Sequence, residues 1–78
     1  MKKYITEIVG WYGVVSILSA YALMSLGILS SHNIYYQLLN LSGALGIVYD
    51  SFKDKDYQPV VLNIIWAVIA LIAIVNII

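Results

Sequence analysis

The stretch Val60–Val75, VVLNIIWAVIALIAIV, decides the fold class. It contains no charged residue, and its one amide side chain is that of Asn63. A helix of about 20 such residues, rising about 1.5 Å per residue, is as long as the hydrocarbon core of a bilayer is thick. An amide without a hydrogen-bond partner in lipid costs about 2–7 kcal/mol by transfer estimates. Asn63 therefore predicts a polar partner inside the membrane.

The rest of the chain has the same character. Of its 78 residues 63% are hydrophobic and 10% are charged, whereas soluble domains carry about 25% charged residues. The apolar residues form three blocks, each long enough to span a bilayer. We therefore predict an all-α membrane protein of one domain, 1–78, with transmembrane helices at about 8–29, 34–52 and 59–78.

The first block also has features of a secretory signal. Two lysines precede it, and Ala20-Tyr21-Ala22 has the A-x-A form of a cleavage site. The apolar residues continue to Leu29, however, which makes the block long enough to span. We expect it to remain as a transmembrane helix.

The lysines predict the orientation. Three spans place the N-terminus and the second connector on one side, and all lysines lie there: Lys2, Lys3, Lys53 and Lys55. The first connector, 30–33, has no lysine or arginine. Positively charged flanks stay cytoplasmic. We therefore expect a multi-pass protein of the bacterial inner membrane, with its N-terminus cytoplasmic and its C-terminus outside.

Small residues recur at helical spacing in each block, and such residues let membrane helices pack closely. In the first block they repeat every seven residues, and in the third they stand four and seven residues after Asn63. The predicted helix-packing residues are Gly13, Ala20, Gly27, Gly43, Ala67 and Ala70.

Four polar or aromatic residues inside the blocks are the predicted substrate contacts: Asn63, Trp66, Asn40 and Ser16. Asn63 lies about 6 Å from the inner boundary and Asn40 about 9 Å from the outer one, too far apart to pair within one chain. A serine hydroxyl readily bonds a carbonyl of its own helix, and an amide does so less easily. Each asparagine therefore predicts either an interhelical hydrogen bond or a polar cavity.

Three helices around one axis pack against each other too closely to leave a pocket for a solute, whereas six helices enclose such a pocket. The lysine asymmetry makes a dimer parallel, with its two-fold axis along the membrane normal, and parallel repeats of this kind occur in transporters. The expected partners are therefore a second copy of the chain, the lipid bilayer and a small neutral polar solute.

Other kinds of chemistry are not expected. No carboxylate, lysine or arginine lies at mid-membrane, and Asp50 stands just inside the inner end of the second block, so uncoupled movement of solute fits better than a proton relay. The chain has no catalytic triad or metal-ligand motif, which predicts no enzyme, no cofactor and no metal. Its net charge of zero gives no reason to expect a nucleic-acid partner.

The segment Gly43-Ala-Leu-Gly-Ile-Val-Tyr49, an acidic connector, Pro59 and Leu62-Asn63 resembles the second half of the SemiSWEETs. These are three-helix bacterial members of the PQ-loop superfamily that act as dimeric sugar transporters. The segments Gly10-Trp-Tyr-Gly13, Asn40-x-x-Gly43 and Asn63-x-x-Trp66 resemble still more closely an uncharacterised family of short bacterial membrane proteins that are often labelled permease-like. The resemblance implies a SemiSWEET-like triple-helix bundle in which Asn63 contacts sugar.

Two departures from the SemiSWEET pattern affect the expected substrate. The first helix lacks the Pro-Gln pair of that family, and Gly46 stands where SemiSWEETs carry a substrate-stacking tryptophan. Trp66, one turn beyond Asn63, is the expected replacement for that ring.

Two functions follow as hypotheses. The first is a homodimeric facilitator of a small neutral polar solute such as a sugar, with Asn63 and Trp66 as contacts. The second is a structural or accessory membrane protein, without transport, in which the asparagines join helices. A holin-like permeabilising protein is a distant third.

Overall fold

In the computed structural model, residues 2–78 are described, with side chains from residue 4 onwards. The chain forms three α-helices, α1 (Lys2–Ser25), α2 (Ile34–Lys53) and α3 (Tyr57–Ile77). The bundle is 37 Å along its longest axis. The side chains of Lys2 and Lys3, which enter the orientation prediction, lie outside the described part.

The helix bounds agree with the predicted ones for α2 and differ most for α1. The first helix begins at Lys2, so its polar first turns are helical too, and it ends at Ser25 rather than at 29. The third helix begins two residues before Pro59. Proline is tolerated there because backbone N–H groups in the first turn have no partner within the helix.

Gly27 ends α1 and does not pack against another helix. Its backbone φ is +79°, and nothing lies within 4 Å of a Cβ built at this position. The Gly27 N–H donates to the Met24 carbonyl at 3.0 Å and the Ile28 N–H to the Leu23 carbonyl at 2.9 Å, as in a Schellman motif. The prediction of Gly27 as a helix-packing residue is therefore wrong, because the helix terminates before reaching it.

The second helix lies between the other two. Both α1 and α3 pack on α2, and in residues 2–78 no Cα of α1 comes within 8 Å of a Cα of α3. On α3 the face toward α2 is a stripe of buried residues at helical spacing: Val60, Asn63, Ala67 and Ala70. The packing of the whole bundle therefore depends on two faces of α2.

Glycines form the closest contacts between α2 and α1. A Cβ built on Gly13 would collide with the Gly43 carbonyl oxygen, and one built on Gly43 would lie 2.9 Å from the Gly13 carbonyl oxygen. One turn away, a Cβ on Gly46 would lie 2.8 Å from the carbonyl oxygen of Val9. The two helices thus meet backbone to backbone, at a distance that any larger residue would prevent.

Two of the three helices are long and apolar enough to cross a membrane, Tyr4–Ser25 and Tyr57–Ile77. In each of them only 22% of the most apolar segment is buried inside the protein. A core helix of a soluble protein would be mostly buried, so these helices present most of their apolar surface outward.

The second helix does not reach the hydropathy of a spanning segment, so of the three predicted transmembrane helices two have the required apolar character. Its amide and small residues lower the hydropathy, and these residues are buried: Gln37, Asn40, Gly43, Ala44 and Gly46. A helix enclosed by two others needs less apolar surface than a helix that faces lipid on most sides.

The glycine contact predicts the effect of Gly13→Ala. The added methyl group would displace the Gly43 backbone, so we expect the free energy of unfolding to fall by about 1–3 kcal/mol. Denaturation in detergent micelles measures it. Ser19→Ala, on an exposed position of the same helix, is the matched control and should change stability by less than about 0.5 kcal/mol. Equal stability of the two variants would contradict the backbone contact.

Candidate functional site

A cleft of about 220 Å³ opens between α2 and α3, near the connector that joins α1 to α2. Its lining combines two amide side chains, two aromatic rings and small or aliphatic residues: Ser31, Tyr36, Gln37, Asn40, Trp66, Ile69 and Ala70. None of these side chains is charged at neutral pH, so the cleft offers hydrogen bonds and an aromatic surface without a net charge.

The central contact of the cleft joins the two helices. The Trp66 indole Nε1 donates a hydrogen bond to the Asn40 Oδ1 at 3.0 Å. Asn40 is 5% exposed, whereas Trp66 is 43% exposed. The N–H edge of the indole therefore contacts a buried amide, while much of the ring remains accessible.

Gln37 lies on the same face of α2, one turn before Asn40. Its Nε2 donates to the Ser31 carbonyl at 2.8 Å, which ties the first connector to the helix. An amide has two donors and an acceptor with two lone pairs. Gln37 and Asn40 each donate one amide N–H within the chain, which leaves a second N–H on each of these buried amides.

Asn63 is buried but does not line this cleft. It is 6% exposed, on the α3 stripe that packs on α2. Its Nδ2 donates to the Pro59 carbonyl at 2.9 Å, within its own helix. The structure therefore places Asn63 in the helix interface and Trp66 at the cleft, one turn apart.

Ser16 lies at the opposite interface, between α1 and α2. It is 5% exposed, and its Cβ is 3.1 Å from the position of a Cβ built on Gly43. Of the four predicted substrate contacts, the structure brings Asn40 and Trp66 together and separates Asn63 and Ser16 from them. The predicted packing residues Ala20, Ala67 and Ala70, together with Gly13 and Gly43, are buried.

Both asparagines form hydrogen bonds within their own helices, although the sequence predicts partners on another helix or in a cavity. Asn40 donates to the Tyr36 carbonyl at 3.1 Å, and Asn63 donates to the Pro59 carbonyl at 2.9 Å. Each donor reaches the carbonyl four residues earlier, a bond usually attributed to serine and threonine. The carbonyl oxygen of the amide remains able to accept a hydrogen bond from another helix, and in Asn40 it accepts one from the Trp66 indole.

Gln37, Tyr36 and Ser31 are absent from the predicted contacts. Gln37 has a sequence signal, because its spacing of three residues from Asn40 places both on one helix face. Ser31 has none, because it belongs to a connector whose path depends on how α1 ends. Within the described residues, no group of three or more His, Cys, Asp or Glu side chains is placed to hold a metal ion.

Residues 6–78 match the model of a protein family of unknown function, and the chain belongs to that family. No curated protein and no solved structure matches the chain.

The Trp66–Asn40 bond predicts an energetic coupling between the two residues. Trp66→Phe removes the donor and Asn40→Ala the acceptor, and a double-mutant cycle should give a coupling of about 0.6–2 kcal/mol. Denaturation in detergent micelles measures the four proteins.

The matched control is a second cycle that pairs Trp66→Phe with Ser42→Ala. Ser42 bonds the Tyr12 hydroxyl at 2.9 Å, in the other interface. This pair should be additive within about 0.5 kcal/mol. An additive Trp66–Asn40 pair would show that the indole and the amide do not interact in solution.

Proposed function

We propose that this chain is an integral membrane protein that moves a small neutral polar solute, such as a sugar, across the bacterial inner membrane. The amide-lined cleft between α2 and α3 is the observation that carries the proposal. Its amides supply hydrogen bonds for hydroxyl groups, and its Trp66 ring supplies a flat surface for the apolar face of a sugar ring. The resemblance of the sequence to the SemiSWEETs implies the same class of solute, a sugar.

The membrane location is supported by the outward surface of α1 and α3. Large aliphatic side chains cover it, among them Ile8 and Leu18 on α1 and Ile65, Ile69 and Ile72 on α3, each more than half exposed. Exposed apolar surface of this extent is typical of a protein that contacts lipid or another protein. We include α2 as a third span, since its polar residues face the other two helices.

The membrane orientation follows from the lysine bias. Lys53 and Lys55 lie at the end of α2 and in the connector to α3, and the first connector carries no basic residue. With three spans, this places the N-terminus and the α2–α3 connector in the cytoplasm. The cleft then lies in the outer half of the membrane, beside the first connector.

A second copy of the chain would complete the site. The volume of a single cleft is about 220 Å³, whereas ligand pockets typically have volumes of about 300–1,000 Å³. Its open side would face lipid in a monomer. Two copies related by an axis along the membrane normal would bring two clefts together, and the orientation bias makes such a dimer parallel. The contacts we assign to the solute are Asn40, Gln37 and Trp66.

The accessory function remains a second candidate, supported by a specific observation. The amides of Asn40 and Asn63 both find donors or acceptors inside one chain, so neither needs a solute to satisfy it. In this alternative the Trp66–Asn40 bond holds α3 against α2 and has no further role.

Uptake into proteoliposomes distinguishes the two functions. We expect wild-type protein to take up one member of a panel of sugars, polyols and amino acids. Trp66→Ala removes the ring that we assign to stacking on the solute, a contact of about 1 kcal/mol, so half-saturation should rise about fivefold. Asn40→Ala also removes polar contacts and should reduce uptake further.

The control for this experiment is Tyr21→Ala, which removes an exposed aromatic ring outside the cleft and should leave uptake unchanged. The oligomeric state of every variant is measured beforehand by light scattering. Absence of uptake of any solute by a well-folded wild-type dimer would favour the accessory function.

Cysteine labelling tests the orientation and the span of α2 together. The chain has no cysteine, so single substitutions report without background. In intact cells an impermeant maleimide should label Ser31→Cys and should label Lys55→Cys only after the membrane is permeabilised. Labelling of both positions from outside would show that α2 does not cross the membrane.

A further inference from the structure

The first connector closes one end of the amide-lined cleft. In the structure it comprises residues 26–33, between Ser25 at the end of α1 and Ile34 at the start of α2. Ser31 lies in this connector and also belongs to the lining of the cleft. In the orientation and the dimer proposed above, the open side of each cleft faces the partner copy. A solute from outside therefore reaches the cleft past the connector.

The connector makes few contacts that would hold it in place. None of residues 26–33 is buried, and its two large aliphatic side chains at the turn out of α1, Leu26 and Ile28, are 75% and 65% exposed. Segments with few buried apolar contacts open locally at a small cost in free energy. The bonds that tie the connector to the helices therefore determine how often it opens.

Most of these bonds are local. The N–H groups of residues 26–29 donate to carbonyls in the last turns of α1. The Asn33 N–H donates to the Ser30 carbonyl at 3.0 Å, so residues 30–33 form a β-turn. The Asn33 Oδ1 accepts from the Tyr35 N–H at 2.8 Å, at the start of α2. These bonds shape the two ends of the connector, and none of them reaches the turn from the cleft.

The bond that does so comes from Gln37. A β-turn uses the carbonyl of its first residue and the N–H of its fourth, which leaves the Ser31 carbonyl free for another donor. The Gln37 Nε2 donates to this carbonyl at 2.8 Å. Within the described part of the chain, no other hydrogen bond reaches residues 30–32 from outside the connector. Gln37 is only 9% exposed, so its side chain is fixed by the helices around it.

From this geometry we propose that the first connector is the outer gate of the cleft, and that the Gln37 amide holds this gate closed through the Ser31 carbonyl. When the bond breaks, the turn at residues 30–33 moves away from α2 and exposes the cleft to water. Gln37 is also one of the contacts assigned to the solute, so solute binding and opening of the gate involve the same side chain. The inference rests on the proposed function in this respect, whereas the opening itself is measurable without a solute.

The test is the rate at which a charged methanethiosulfonate reagent modifies a cysteine in the cleft. The full-length protein, which has no cysteine of its own, is studied in detergent micelles, since detergent keeps the charged reagent from the open side of the cleft. Ala70→Cys is the reporter, because Ala70 lines the cleft and is 2% exposed. Gln37→Met keeps the length of the side chain and removes the donor. We expect it to raise the modification rate about fivefold, which corresponds to one hydrogen bond of about 1 kcal/mol.

Two controls separate opening of the gate from loosening of the bundle. A second reporter, Ala67→Cys, lies one turn from Ala70 on the same buried stripe but outside the cleft lining, and its modification should stay slow. Gln58→Met makes the same substitution at an exposed glutamine away from the cleft and should change neither rate. Gln37→Asn keeps an amide but shortens its reach, so it should accelerate modification at position 70 as Gln37→Met does.

Two outcomes would overturn the proposal. Equal rates at position 70 in wild type, Gln37→Met and Gln37→Asn would show that Gln37 does not hold the connector. Equal acceleration at positions 67 and 70 would show that the substitution loosens the whole bundle and opens no gate. Because no solute is present, either result is independent of the uptake experiment, and absence of uptake would leave the labelling rates as they are.

Discussion

Both outer helices pack on α2, and in the part of the chain that the structure describes they do not reach each other. Every other feature of the bundle depends on this arrangement. One face of α2 carries glycines where it meets α1, so the two helices approach backbone to backbone at Gly13 and Gly43. Another face carries amides that meet α3. The helix with the lowest hydropathy is thus the one with the most protein around it, which is the order expected if lipid covers the remaining surfaces.

The asparagines illustrate how a helix distributes polar groups that it cannot expose. Each amide N–H₂ bonds the carbonyl four residues earlier in its own helix, which leaves the amide oxygen available to a neighbour. In Asn40 the neighbour is the Trp66 indole. This sharing satisfies the buried donor locally and still produces a contact between helices. It also places a tryptophan ring beside a pair of amides, which is the combination that a neutral polar solute would use.

The two ends of the bundle differ in their chemistry. One end has an uncharged cleft lined by amides, and the other has the Asp50 carboxyl group, one oxygen of which is buried without a hydrogen-bond partner among the described residues. Both depend on the glycine and alanine positions that bring the helices close. A larger residue at Gly10 would exclude Asp50 from the interface, just as a larger residue at Gly13 would separate the helices altogether. The same small residues therefore determine both how closely the helices pack and where polar groups are buried in this protein.

The sequence by itself determined the features that depend on neighbours along the chain. The three helices, the bounds of α2 to within one residue, and the α3 stripe through Asn63, Ala67 and Ala70 all follow from length and helical periodicity. The position of Gln37 on the Asn40 face was readable in the same way. These predictions succeed because a helix fixes the relative directions of residues three and four apart.

The tertiary structure alone decided which faces meet. The Trp66–Asn40 bond joins residues 26 positions apart, and the placement of the Asp50 carboxyl depends on a glycine in a different helix. Periodicity grouped Gly27 with the packing residues of α1, although the chain had already turned out of the helix there. It also made α2 look like a third apolar span. Periodicity describes the faces of each helix, but the order of the helices is set by how those faces fit together, and that fit is a property of the packed bundle.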